Sequence, residues 1–135
     1  MHGTRSTNPN TVDQEYAGTV NYVRNGADGK GWNLTIGNGI ICEHMTPRYW
    51  GWHALGASNR HLGAEFAQAR LGDPITDAQI DAFCWWFLNV ARAAWPNLPR
   101  AFPNHSELPE GIGNTDVEPR GEHSVRDRIL ARLGD

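Results

Sequence analysis

A helix with well-marked ends in the second half of the chain constrains the fold most. Thr76 and Gln79 have the spacing of a capping box, in which two side chains satisfy unpaired backbone N–H groups of the first helical turn. Apolar residues then recur at helical spacing: Ile80, Phe83, Cys84, Phe87, Leu88, Ala91 and Ala94. Pro96 ends this pattern, since proline cannot continue a helix. The sequence therefore predicts a helix over 76–95, about 30 Å long, that can cover one face of a sheet.

The first part of the chain predicts another helix and a β-hairpin. Thr11 and Gln14 form a second capping box, and the apolar face that follows predicts a helix over 11–24. Two predicted strands, 32–36 and 40–44, flank Gly37-Asn38-Gly39. Glycine and asparagine tolerate the positive φ angles of hairpin turns, so these strands are expected to pair in antiparallel fashion.

The stretch 58–67 has the alternation of a strand. Leu62, Ala64 and Phe66 alternate with less apolar positions, so Glu65 is expected on the opposite face of the sheet. Ser124 is placed to cap a closing helix. Strands therefore mix with helices, and we predict a single domain over 1–135 of the α/β class, with a central mixed β-sheet flanked by helices.

Composition narrows the classes of function. The chain has 135 residues, a formal net charge of -3 and a pI near 6.0. A nucleic-acid-binding protein usually carries a basic surface, so no nucleic-acid partner is expected. There is no apolar run of about 18 residues, so no membrane span is expected either, and the N-terminus lacks the pattern of a signal peptide. Cys42 and Cys84 are expected to be buried free thiols in a monomer.

The turn-rich segment 103–116 contains the residues best suited to bind a metal ion. Prolines and glycines exclude a continuous helix or central strand here, so the segment is expected to be a loop. His105 and Asp116 lie on this loop, and an imidazole nitrogen and a carboxylate oxygen are both good Zn²⁺ ligands. A zinc site that also takes part in catalysis usually has three protein ligands, so a third would have to come from elsewhere in the chain.

The amino-acid sequence of this loop resembles a motif of a known family. The residues Asn104-His105-Ser106-Glu107-Leu108-Pro109-Glu110-Gly111, followed by Asn114-Thr115-Asp116, resemble the segment G-H-S-E-x-P … G-K-x-D-P-G. That segment is typical of type 2 N-acetylmuramoyl-L-alanine amidases, which are zinc enzymes related to peptidoglycan-recognition proteins. Four further matches follow the family order: His2 in I-V-I-H-x-T, Trp32-Asn33 in the hairpin, Trp52-His53-Ala54 in A-W-H-A-G and Glu65 in S-I-G-I-E.

The resemblance implies a fold and a complete site. It implies an amidase/peptidoglycan-recognition-protein-like fold, with His2, His105 and Asp116 as the ligands of Zn²⁺. Glu65 is then the general base that takes a proton from the attacking water, and Asn114 is at the position of an oxyanion-stabilising group. The substrate contacts are Trp32, Trp52 and His53.

Three features depart from the family pattern. Asn114 stands where the family commonly has lysine, so His53 is a candidate to stabilise the oxyanion instead. Trp32 stands where some family members have a functional tyrosine, and the strand before His2 is very short. His44, His61 and His123 match no motif and are interpreted as surface or structural residues.

The expected function is cleavage of the amide bond between N-acetylmuramic acid and L-alanine in bacterial peptidoglycan. The short chain without a signal peptide favours a phage endolysin, made in the cytoplasm and acting on the host cell wall after release. Two alternatives remain open at this point. One is a binding module of the same fold that does not catalyse, and the other is a zinc peptidase that acts on the stem peptide.

Overall fold

A four-stranded mixed sheet organises the computed structural model, which describes residues 1–4, 10–70, 72–111 and 124–134. Its strands are β1 (His2–Gly3), β2 (Leu34–Gly37), β3 (Ile40–Glu43) and β4 (Ala64–Phe66). Their order across the sheet is β1-β4-β2-β3. β4 runs parallel to both β1 and β2, whereas β2 and β3 are antiparallel. The predicted α/β class with a central mixed sheet is confirmed.

The hairpin and the first helix form as the sequence predicts. β2 and β3 are joined by a two-residue turn of Asn38 and Gly39, and Gly39 has a φ of 66°. The helix α1 (Val12–Arg24) begins at Thr11, whose side chain accepts a hydrogen bond from the backbone of Gln14, while the Gln14 side chain accepts one from the backbone of Thr11. Both strands of the hairpin are slightly shorter than predicted.

The long second helix is present but contains an irregular turn. Its parts are α2 (Asp77–Trp86), a π-helical turn (Phe87–Ala91) and α3 (Arg92–Ala94). Both hydrogen bonds of the predicted capping box between Thr76 and Gln79 form. The fully buried Gln79 amide also donates to the backbone oxygens of Ile36 and Ala67, at 3.0 and 2.8 Å, and so fixes the helix to the ends of β2 and β4. No helix in the described ranges is both long and apolar enough to cross a bilayer.

The hydrophobic core lies between one face of the sheet and the helices α2 and α4 (Val125–Leu133). Its largest members include Leu34, Ile36, Phe66, Ile80, Phe83, Phe87, Phe102 and Ile129. Ser124 caps α4 as predicted, by accepting a hydrogen bond from the backbone of Asp127. Both cysteines are free thiols, Cys84 buried in this core and Cys42 half-buried. Interlocking aromatic rings on this face hold the sheet against the helices.

The predicted strand over 58–67 is only partly correct. Just Ala64–Phe66 pair in the sheet, and Leu55–Arg60 form a 3₁₀ helix instead. The Ser58 hydroxyl explains the difference, because it accepts hydrogen bonds from the backbone N–H groups of His53 and Ala54 at 3.1 and 2.8 Å. A serine side chain that satisfies backbone groups locally stabilises a turn in place of a strand.

Candidate active site

A groove lies on the other face of the sheet, beside α1. It has a volume of about 860 Å³. Its lining includes His2, Glu65 and His105, together with Trp32, Trp52 and His53. These are all the predicted site residues that fall within the described ranges. Asn114 and Asp116 lie outside those ranges, so neither prediction is tested.

The register of the sheet places four polar side chains in one row. Glu65 on β4 is the Cα partner of His2 on one side and of Thr35 on the other, and Thr35 is in turn the partner of Cys42. We call His2, Glu65, Thr35 and Cys42 the polar row. Paired residues of neighbouring strands point to the same face of a sheet, so the row faces α1 and the groove. The residues before and after Glu65 point to the core and are buried.

The segment that carries His2 is held from two sides despite the shortness of β1. The backbone N–H of Thr4 donates to the Phe66 oxygen at 3.0 Å, and the Thr4 hydroxyl accepts from Gln68 N–H at 2.8 Å. On its other side, the backbone N–H of His105 donates to the Met1 oxygen at 3.2 Å. These bonds fix His2 relative to both the sheet and the loop of His105. The strand before this histidine is therefore short, as expected, yet well anchored.

His2 and His105 are brought together as the resemblance implies. Their ring centroids are 4.8 Å apart, with the ring planes at 61°. His105 begins a 3₁₀ turn (His105–Glu107), which is followed by a second one (Pro109–Gly111). The backbone of Gly111 lies so close to His105 that a Cβ there would be 1.8 Å from the His105 oxygen. Only glycine fits at this position, so the loop is tightly folded around the histidine.

The described residues alone do not provide a complete metal site. Within the ranges given above, no three His, Cys, Asp or Glu side chains are grouped in a geometry that could hold a metal ion. Two imidazoles suit Zn²⁺ chemically, and a carboxylate would complete a set of ligands seen in hydrolytic zinc sites. The donors present thus fit zinc as a pair, and the predicted third ligand, Asp116, lies in the part of the chain not described.

His53 lies next to this pair, and its hydrogen bonding defines its tautomer. Its ring centroid is 5.6 Å from that of His2, and its Nε2 is 3.0 Å from the backbone oxygen of His61. A carbonyl oxygen only accepts, so Nε2 carries the proton and Nδ1 presents its lone pair. Nδ1 is buried and has no hydrogen-bond partner among the described residues. Burial also lowers the pKa of His53 to about 4, so the ring is neutral at physiological pH.

This tautomer bears on the expectation that His53 stabilises the oxyanion. A neutral ring whose proton is committed to His61 has no N–H to offer an oxyanion. The suggestion that His53 replaces the family lysine as an oxyanion donor is therefore not supported by its geometry. The lone pair of Nδ1 is buried and so is not accessible to a ligand in this conformation, and the substrate contact predicted for His53 stays a prediction.

The two predicted tryptophan contacts differ in exposure. Trp52 is 51% exposed beside the groove, whereas Trp32 is only 8% exposed. The Trp32 indole donates to the Thr35 hydroxyl at 2.9 Å, and that hydroxyl is also 2.9 Å from Nε2 of His44. Trp32 thus presents little of its ring to a ligand and mainly supports the polar row. Trp52 remains the ring available for stacking.

The histidines without a motif have structural partners. His44 is bonded to Thr35, and burial lowers its pKa, helped by the charge of Arg24. His61 bonds through Nδ1 to the Ala57 oxygen at 3.0 Å. The interpretation of both as structural or surface residues is confirmed, while His123 lies outside the described residues.

Sequence reasoning missed Asn33, which organises the groove wall. It is fully buried, and its amide donates to the backbone oxygens of Thr46 and Tyr49, at 3.2 and 2.9 Å. Its side-chain oxygen accepts from Gly63 N–H at 2.9 Å. Gly63 packs so closely that a Cβ would lie 2.8 Å from both His53 and Trp32. An asparagine next to a strand gives no indication of such distant backbone partners, so only the fold shows this role.

The arrangement combines a general base candidate, a pair of imidazoles and a groove with an exposed ring. A second cavity of about 220 Å³, largely apolar in its lining, lies behind the groove, and His2, His53 and His105 border both spaces. Hydrolysis or binding of a polar, extended ligand suits this combination. Comparison of the chain with family models, with curated proteins and with solved structures finds no match to any of them.

Proposed function

We propose that this protein is a zinc-dependent hydrolase of bacterial peptidoglycan that cleaves the amide bond between N-acetylmuramic acid and L-alanine. The observation that supports it is the meeting of His2 and His105, 4.8 Å apart between ring centroids, with Glu65 as the strand partner of His2 in the same groove. Three residues from distant parts of the chain converge in the combination that the amidase resemblance implies. The proposed fold is accordingly the one shared by these amidases and the peptidoglycan-recognition proteins.

The proposed roles follow from the chemistry of each side chain. His2 and His105 would hold Zn²⁺ together with Asp116, and the metal would supply a Lewis acid that polarises the scissile carbonyl. Glu65 takes a proton from a water molecule as its oxygen attacks the carbonyl carbon. Glu65 then passes that proton to the nitrogen of the leaving L-alanine as the C–N bond breaks. The products are a free N-acetylmuramic acid carboxylate and a stem peptide with a new amino terminus.

The dimensions and surface of the groove suit an extended ligand with both sugar and peptide parts. Its volume of about 860 Å³ is in the upper part of the range for ligand sites, roughly 300–1,000 Å³. The half-exposed ring of Trp52 can lie against a sugar or an apolar side chain of such a ligand. In this proposal the protein is a monomeric phage endolysin that meets the cell wall after release from the cytoplasm.

A second candidate function is recognition of peptidoglycan without cleavage. It is favoured by the uncharged side chain of Asn114 where the related amidases commonly have lysine. The groove would bind the same ligand in either case, so only a measurement of products separates the two functions.

The test is digestion of purified sacculi, followed by mass spectrometry of the released material. The wild-type protein is compared with Glu65→Gln, each with zinc and with a chelator. Stem peptides that begin with L-alanine, released by the wild type with zinc and lost with chelator, are the expected result. Peptides with new termini inside the stem would indicate the peptidase alternative. Intact sacculi that retain the protein would indicate the binding module and overturn the proposed hydrolysis.

A further inference from the structure

The segment that leads into Lys30 has an unusual backbone. Four successive residues, Gly26, Ala27, Asp28 and Gly29, have positive φ angles of 92°, 42°, 52° and 81°. Ala27 and Asp28 are the only non-glycine residues with positive φ among the residues that the structure describes. Side chains disfavour this region of conformational space, and such strain persists where surrounding contacts enforce it, often near functional sites.

Several contacts hold this segment and fix the backbone of Lys30. The Tyr22 hydroxyl is 3.1 Å from the backbone oxygen of Ala27, and Ala27 itself is 2% exposed. The backbone N–H of Lys30 donates to that same oxygen at 2.9 Å. On the other side, the N–H of Gly31 donates to the Trp52 oxygen at 3.1 Å. The segment 26–30 is therefore a hydrogen-bonded turn, which we call the clamped turn, and it places the backbone of Lys30 between α1 and the loop of Trp52.

Lys30 lines the same groove as Glu65 and His105, and it is the sole lysine of the sequence. Among the described residues that line the groove, it is also the only lysine or arginine. No carboxylate of the described residues lies within ion-pair distance of its ammonium group. The nearest acidic residue of the lining on α1, Glu15, instead accepts a hydrogen bond from Asn10 at 2.9 Å. The ammonium group is thus available to an anionic ligand.

We propose that Lys30 determines specificity by binding a carboxylate of the ligand, namely a free carboxylate of the stem peptide next to the scissile amide. This inference rests on the proposed function for the identity of the ligand. The clamped turn fixes the backbone of Lys30 at the wall of the groove, and the exposed Trp52, which lines the same groove, can contact the apolar parts of the peptide. A ligand that fills the groove displaces water from the lysine, which strengthens the charge-assisted hydrogen bond.

The test compares two synthetic probes, N-acetylmuramoyl-L-alanyl-D-glutamate and its diamide, in which both glutamate carboxylates are carboxamides. Binding is measured by calorimetry in a Glu65→Gln background, so that hydrolysis does not interfere. Lys30→Met is expected to weaken binding of the acid by about 10- to 100-fold, the value of one charge-assisted hydrogen bond, and to leave binding of the diamide unchanged. Lys30→Arg retains the charge and is expected to restore most of the affinity for the acid.

Arg92→Gln is the matched control for the loss of one positive charge. Arg92 is half-buried, is not among the described residues that line the groove, and donates a hydrogen bond to the backbone oxygen of Pro96 at its own helix end. It is expected to leave both affinities unchanged. Equal loss for both probes in Lys30→Met, equal affinity of the two probes for the unmodified groove, or no binding of either probe would each overturn the role of Lys30.

The two proposals can fail separately. If the acid binds through Lys30 but wild-type protein releases no L-alanyl peptide, the carboxylate site stands and the hydrolase fails. If the wild type cleaves the acid and the diamide with the same kcat/KM, the hydrolase stands and the carboxylate site fails. A higher kcat/KM for the acid that is lost in Lys30→Met supports both together.

Discussion

The two faces of the sheet differ sharply at neighbouring residues of one short strand. Phe66 on β4 is fully buried in the core, where its ring centroid lies 5.7 Å from that of Phe83. Glu65, one residue earlier, faces the groove in the polar row. Successive side chains of a strand point to opposite faces, so three residues of β4 serve both the core and the candidate site. The comparison teaches that the residues that stabilise the fold and the candidate catalytic residue lie on opposite faces of the sheet. The backbone of one strand positions both.

The largest expected effect is on the groove face. Glu65→Gln removes the proton acceptor while keeping the size and shape of the side chain. The rate of peptide release from sacculi is expected to fall by about a hundred- to ten-thousand-fold, the usual contribution of a general base. The midpoint of urea unfolding is expected to change little. A variant that retains the full rate would show that Glu65 is not the base and that this residue of the groove face does not serve catalysis.

The converse change is Phe66→Ala on the core face. Loss of a buried ring from a packed aromatic cluster is expected to lower the free energy of unfolding by about 3–5 kcal/mol, because it leaves a cavity among residues that cannot collapse fully. Urea unfolding followed by tryptophan fluorescence measures this directly. Phe66→Leu keeps most of the volume and serves as the milder control. An unfolding free energy of Phe66→Ala within 1 kcal/mol of the wild type, about a third of the smallest expected loss, would contradict this picture of the core.

A smaller effect is expected where the groove wall depends on one buried amide. Asn33→Ala removes three hydrogen bonds: the Tyr49 oxygen and the N–H of Gly63 lose this partner, while the Thr46 oxygen keeps the bond from the Tyr49 N–H. The free energy of unfolding is expected to fall by about 1–3 kcal/mol, the cost of buried groups left unsatisfied. Ligand affinity is expected to fall as well, because the loop of Trp52 and the contact between Gly63 and His53 depend on this residue. Unchanged affinity with reduced stability would limit Asn33 to a purely structural role.

The effect that vanishes at neutral pH is a dependence of stability on pH that arises at His53. Its pKa in the folded protein is about 4, below the value of about 6.5 in the unfolded chain, so the unfolded state binds a proton first as pH falls. The stabilisation is complete above pH 6.5 and declines between about 6.5 and 4. Urea unfolding in the presence of a chelator should show this decline in the wild type and a weaker one in His53→Gln. Identical pH profiles would exclude His53 as the source.

Local patterns in the sequence predicted the elements well. The capping boxes at Thr11 and Thr76 mark the helix starts, and the turn at Asn38 and Gly39 marks the hairpin. Each depends on side chains within a few residues, which the sequence displays directly. The same reasoning failed at Ser58, because alternating residues resemble a strand even where a hydroxyl bonds to the backbone and closes a turn.

The candidate site was only partly accessible from the sequence. The motifs identified His2, Glu65 and His105, which the fold brings into one groove. They could not indicate the tautomer of His53, which depends on the backbone oxygen of His61 in the folded loop. Nor could they indicate the clamped turn before Lys30, because no periodic pattern encodes its positive φ angles. Contacts of this kind become visible only once the strands are in register.

The most direct test of the central claim is an anomalous diffraction map from crystals of the full chain grown with zinc. The account predicts one strong zinc peak in the groove, with a nitrogen of His2 and one of His105 each about 2.0–2.1 Å away and the carboxylate of Asp116 completing the ligands. Zinc elsewhere, with these two histidines remaining without metal at saturating zinc, would contradict it. The groove would then be a binding surface, and the chemistry proposed for Glu65 would have no metal partner.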